Sequence, residues 1–103
     1  MKISVIANYE SVSFRVLLER VRCFFPEEDV LDLSRHQGND WKKIDQNRII
    51  DISGSNLVIV CQDWKNHIDV VHDLTEAQKR GKEILIEVDG GFVPLTHQTA
   101  RIW

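Results

Sequence analysis

The 103 residues match the length of one small domain, and a hydrophobic share of 43% is enough to build a core. A net charge of −3 with interspersed signs argues against a nucleic-acid binder, which would carry a basic stripe. No apolar run approaches the length of a membrane span. The opening MKISVIANYE has no small-residue cleavage site and reads as a first strand rather than a leader.

In chain order, ISVIA (3–7) is a short β-branched apolar run, so a buried strand. SVSFRVLLERVRCFF (11–25) sets Phe14, Leu17, Leu18, Val21, Phe24 and Phe25 at helical spacing, with Ser11 or Ser13 as cap and Pro26 as stop. DVLDL (29–33) is a second strand. NDWKKIDQNRIIDI (39–52) starts on cap residues Asn39 and Asp40, puts Trp41, Ile44 and Ile52 on one face, and stops at Gly54. LVIVC (57–61) is wholly apolar, as in a parallel sheet. HIDVVHDLTEAQKR (67–80) is a helix with Val70, Val71, Leu74 and Ala77 inward and Gly81 as terminator. EILIEV (83–88) is a fourth strand, DGG (89–91) a turn, and FVPLT (92–96) a short edge strand, since Pro94 cannot serve a central one.

Strands alternating with helices predict a single α/β domain over residues 1–103. Its expected form is a three-layer, Rossmann-like or flavodoxin-like parallel sheet of four strands in the order 2-1-3-4, with room for a short fifth at the edge. Ligands of such sheets bind beyond the carboxyl ends of the strands, where strand order reverses. The loops after the four strands (Asn8–Ser11, Ser34–Asp40, Gln62–His67 and Asp89–Gly91) are therefore the candidate site.

Several side chains there suit ligand chemistry. Asp63 and Trp64 pair an acceptor with an aromatic plane; the plainer alternative is a turn aspartate beside a packed tryptophan. Asp69, Asp73, Glu76 and Arg80 form a charged helix face, but Asp73 also aligns with Val70 and Ala77, at the border of the buried stripe. His67 and His72 are five apart and point to different sides of a helix, so no metal is expected. Arg35 and His36 offer donors for a phosphate. ANYESVSF after the first strand has neither glycine-rich phosphate loop, which disfavours a cradled dinucleotide or triphosphate; Ser11 and Ser13 at a helix N-terminus still attract a phosphate. Cys23 and Cys61 sit in apolar segments without zinc or CxxC spacing, and read as two buried, unpaired thiols of a cytoplasmic protein.

SGSNLVIVCQDW (53–64) and HDLTEAQKRGKEILI (72–86) resemble the nucleoside 2-deoxyribosyltransferase-like superfamily, including its nucleotide N-glycosidases. The matching pieces are Asn56, Asp63, Trp64, Asp73, Ala77, Gly81 and Lys82. The resemblance implies a protein that binds a nucleoside or nucleoside monophosphate and cleaves or transfers at the N-glycosidic bond without a cofactor. Asp73 would be the carboxylate nucleophile. Asp63 would contact the base or protonate the leaving group, Trp64 would stack on it, and Tyr9 would touch the sugar; Asn8, Ser11, His67 and Arg35 complete the expected ligand contacts. The chain departs from the family in carrying Asp73 where the enzymes have glutamate, and Ala7, Asn8 and Tyr9 where they have Gly-Pro. A carboxylate one methylene shorter is displaced by about 1 Å, enough to lose on the order of a hundredfold in rate. The alternative is thus a catalytically inactive nucleotide-binding or protein-interaction module on the same scaffold, Toll/interleukin-receptor-like or flavodoxin-like. No nucleic-acid or membrane partner is expected, and a homodimer is left open.

Overall fold

The computed structural model describes residues 1–89 and 91–95. It is a small α/β fold of three helices and one five-stranded mixed sheet. The strands are β1 (Lys2–Ile6), β2 (Asp29–Leu31), β3 (Leu57–Val60), β4 (Glu83–Val88) and β5 (Gly91–Pro94). The helices are α1 (Val12–Phe24), α2 (Trp41–Ser53) and α3 (Ile68–Lys79). No helix among the described residues is long and apolar enough to cross a membrane.

The sheet order is β2-β1-β3-β4-β5, and the first four strands are parallel. The expectation of an all-parallel sheet needs correction at β5, which runs antiparallel to β4 with Val88 opposite Gly91. Only residues 89 and 90 separate the two strands. A parallel partner needs a crossover of a dozen residues or more, whereas a two-residue link permits only a hairpin. Pro94 sits at the free edge, where its missing N–H costs no ladder bond. Thr96 of the expected FVPLT strand and Gly90 of the turn lie outside the described residues.

Strand periodicity divides the core in two. Ser4, Val58 and Ile84 lie in register, as do Ile6, Val60 and Ile86, all on one face. That face meets α2, since the Ser4 hydroxyl bonds to Ser55 and lies within reach of the Asp51 carbonyl; α3 packs beside α2. Val5, Ile59 and Leu85 line the other face, together with Glu87 and Phe92. There α1 lies, pairing Arg20 with Glu87 and setting Phe24 edge-on to Phe92, ring centroids 5.1 Å apart. Helix α1 buries Phe14, Leu17, Leu18 and Val21. Phe24, expected inward, is mostly exposed because α1 overruns the core there and meets only the edge strand.

The helix ends follow from their caps. Ser11 caps α1 by accepting from the Phe14 N–H at 3.1 Å, and Asp40 caps α2 by accepting from Lys42 and Lys43. Gly81 ends α3 at φ +67, a left-handed turn that any L side chain would strain.

The thiols differ from expectation in one respect. Both are free, but only Cys61 is buried; Cys23 is exposed on α1. Burial, reinforced by the nearby Asp63 carboxylate, pushes the Cys61 thiol up to about 12. Since the thiolate is the reactive form, an aromatic disulfide reagent should titrate one thiol in the native protein, Cys23, and two after denaturation. Equal rates for both native thiols would show that Cys61 is accessible.

Candidate functional site

The chain crosses from β1 to β2 on one side and then to β3 on the other, so strand order reverses between β1 and β3. The loops leaving these two strands must part there, and a crevice opens at the carboxyl edge. A cleft of about 1290 Å³ occupies this position. Asn8 and Tyr9 after β1 form one wall, the turn after β2 another, and the first turns of α2 and α3 close the remainder. A smaller crevice of about 420 Å³ lies beyond Asn8 and His67, lined by Ser11, Ser13, Cys61, Gln62 and Asp63.

A polar network lies beneath the larger cleft. Asp73 on α3 is 0% exposed. Its Oδ2 accepts from the Tyr9 hydroxyl at 2.7 Å and lies 3.5 Å from Arg48 Nε on α2. The Arg48 guanidinium stacks on the Tyr9 ring, 4.9 Å from its centroid, and lies 3.9 Å from Asp45. Asp45 in turn meets His72 Nε2 at 3.1 Å. Burial raises the Asp73 carboxyl above the ordinary aspartate range, against the lowering effects of the Tyr9 hydrogen bond and the Arg48 charge. Burial, then the Asp73 charge, raises the Tyr9 phenol well above its usual value, so it remains a donor. Asp73 Oδ1 and Arg48 Nε have no hydrogen-bond partner.

Donor atoms of Asp45, His72 and Asp73 lie within 4.8 Å of one another, close enough for a cation. Arg48 already supplies the positive charge between the two carboxylates. The arrangement is an ion-pair network that fixes Tyr9 and Arg48 as the cleft floor.

The expected site residues are distributed as follows. Asn8, Tyr9 and His67 line the cleft; Asn8 and His67 also line the smaller crevice. Ser11 reaches that crevice, but its hydroxyl is engaged as the α1 cap and donates to the Asn8 carbonyl at 2.7 Å. Asp63 lies there too, 3.1 Å from His67, whose hydrogen bond and that of the Cys61 thiol lower its pKa. Asp63 and Asp73 therefore do not converge: one faces the smaller crevice, the other lies under the floor of the larger. The charged-face reading of Asp73 is corrected, because α3 turns it inward between Val70 and Ala77.

Two further assignments change. Trp64 is 1% exposed and belongs to the core, because a 3-10 turn over Trp64–Asn66 folds the ring back beneath the loop; it has no open face on which a ligand could stack. Arg35 is not in the cleft wall, and with His36 it grips Asp51 on α2, at 2.9 and 2.7 Å. Its half-exposed guanidinium is engaged by Asp51 and by the Asp32 carbonyl, away from the cleft.

Sequence reasoning missed Trp41, Asp45, Arg48 and Ile68, all in the cleft wall. Trp41, expected to pack with Ile44, is 70% exposed, and Ile68 is 85% exposed. Arg48 had a signal: Ile44, Arg48 and Ile52 form one i, i+4 stripe, so a cation interrupts the apolar face of α2. A cation there needs a buried acid, and Asp73, equally misplaced on the stripe of α3, is that acid.

No family model matches the chain, and neither the curated proteins nor the solved structures contain a match to it.

Proposed function

We propose that this chain binds a nucleoside or nucleoside monophosphate in the switch-point cleft, on a Rossmann-like scaffold of the deoxyribosyltransferase-like type. The observation that carries the reading is the pairing of surfaces in one cleft. Exposed Trp41, with Ile44 and Ile68, offers an apolar rim for a flat ring, and the floor of Tyr9 and Arg48 offers fixed polar groups for a sugar or base edge. A mostly apolar wall with a few placed polar groups is the usual composition of a small-molecule site. The free thiols fit a reducing, cytoplasmic setting.

Catalysis is the second reading, favoured by a carboxylate with one unbonded oxygen directly behind a cleft-lining phenol. In it, an Asp73 oxygen attacks the sugar C1′, and the base leaves with the glycosidic electron pair and gains a proton. Water then attacks C1′, losing a proton and regenerating the carboxylate. Tyr9 must swing aside for this, because Asp73 has no exposed surface.

A thermal-shift screen against nucleosides and nucleoside monophosphates tests both readings, since a ligand that binds only the folded state raises the melting temperature. A shift of about 10 °C or more at a free-ligand concentration a hundredfold above Kd is expected. No shift with any compound would remove the binding reading. Free base released from the hit, and lost in Asp73→Asn with binding intact, would establish the second; release that survives Asp73→Asn would discard it.

A further inference from the structure

We infer that the cleft selects the unphosphorylated nucleoside over its monophosphate. This rests on the nucleoside-binding reading and narrows its ligand class to a neutral aromatic compound that presents hydrogen-bond donors. Among the described residues, the charged lining consists of Arg15 and Arg48 against Glu10, Asp45 and Asp69. Neither arginine is free: Arg15 is held by Asp32 at 3.0 Å and Ser34 at 3.2 Å, and Arg48 by Asp73 and Asp45. The three lining histidines face carboxylates as well: His36 meets Asp51, His67 meets Asp63 and His72 meets Asp45. Lys42 and Lys43 follow Trp41 on α2 but do not line the cleft.

A further positive element is the start of α3, where His67 gives no side-chain cap and Ile68, Asp69 and Val70 line the cleft. Asp69 sits in that same turn, and its carboxylate occupies the favourable field of the helix end. A phosphate directed to the smaller crevice would meet Ser13 and Ser11, whose hydroxyl already caps α1, but also the carboxylates of Asp63 and of Glu87, the latter paired with Arg20. A dianion thus finds its potential cations already paired, whereas hydroxyls and exocyclic amines find Asp69 and Glu10, which have no ion-pair partner among the described residues, with Asp45 beside them shared by Arg48 and His72. Like-charge juxtaposition discriminates strongly between ligands.

Calorimetric titration of the intact chain at pH 8, with the common ribo- and deoxyribonucleosides and their 5′-monophosphates, tests the inference. The best nucleoside should bind at least about tenfold more tightly than its own monophosphate. Asp45→Asn with Asp69→Asn should shrink that ratio about threefold or more. Asp69→Asn alone, at an exposed position that the fold does not depend on, should shrink it in the same direction. A monophosphate that binds as tightly as its nucleoside, or a ratio unmoved in both variants, would overturn the inference and leave nucleoside binding standing. Absence of heat from every compound would remove both.

Discussion

Asp73→Ala should destabilise the fold by about 3–5 kcal/mol, the range for breaking a buried ion pair by deleting one partner. Asp73 is fully buried, and its removal orphans the Tyr9 hydroxyl and leaves Arg48, itself largely buried, with only Asp45 nearby. Total stability of a domain is about 5–15 kcal/mol, so the loss is a large share of the whole. A drop in melting temperature of more than about 10 °C is expected. Asp73→Asn keeps an acceptor for Tyr9 and should lose less, about 1–3 kcal/mol. The two variants have a sharper use in their pH dependence. Folding raises the Asp73 pKa, chiefly by burial, so the folded state binds the proton more tightly than the unfolded chain. Stability from this group is then fully present below the ordinary aspartate pKa and is lost as pH rises through the folded value. The wild-type advantage over Asp73→Asn should be widest near pH 4 and narrower at pH 7, measured by denaturant unfolding. Asp32, Asp63 and Glu76 shift the other way, but they are common to both proteins and cancel in the difference. An advantage that widens toward neutral pH would mean that Arg48 outweighs burial and Asp73 is stabilised as an ion.

The strands around β1 and β3 were legible because both faces of each are covered by helices, which forces continuous apolar runs such as ISVIA and LVIVC. Their order followed from alternation with helices, and the position of the cleft from the order. The helical stripe of α1 was equally plain up to Val21. What failed lies where an element outruns the core. Periodicity reports which residues share a face, not where the sheet beneath that face ends, so Phe24 and Trp41 were assigned inward although nothing covers them. Arg35 and His36 read as free donors because their partner, Asp51, is a helix away in sequence and meets them only once α2 docks on β1. The burial of Asp73 was half visible in its alignment with Val70 and Ala77. Its meaning depends on Tyr9 and Arg48, which three separate elements bring to one point.

The largest reassignment in the site concerns two tryptophans, and exchanging their roles gives an equally large effect. Trp64 follows β3, where the loop opens toward ligand, yet it is packed in the core; Trp41 begins α2, where a helix should bury its first apolar residue, yet it lies open on the cleft. Trp64→Ala should therefore destabilise the protein by about 3–5 kcal/mol, the combined loss of transfer energy and the cavity left behind. Trp41→Ala should stay within about 0.5 kcal/mol of wild type, as for an exposed side chain with few contacts to lose. Binding should invert this order. Loss of a base stack weakens affinity by about 1–3 kcal/mol, so Trp41→Ala should raise Kd by roughly fivefold to more than a hundredfold. Trp41→Phe, which keeps a smaller ring, should fall between. Melting curves and calorimetric titrations on the same preparations separate the two effects. A Trp41→Ala protein that binds unchanged would move the ligand off the apolar rim. A Trp64→Ala protein that melts like wild type would mean that the 3-10 turn after β3 releases its tryptophan at little cost, and would return that residue to the mouth of the site.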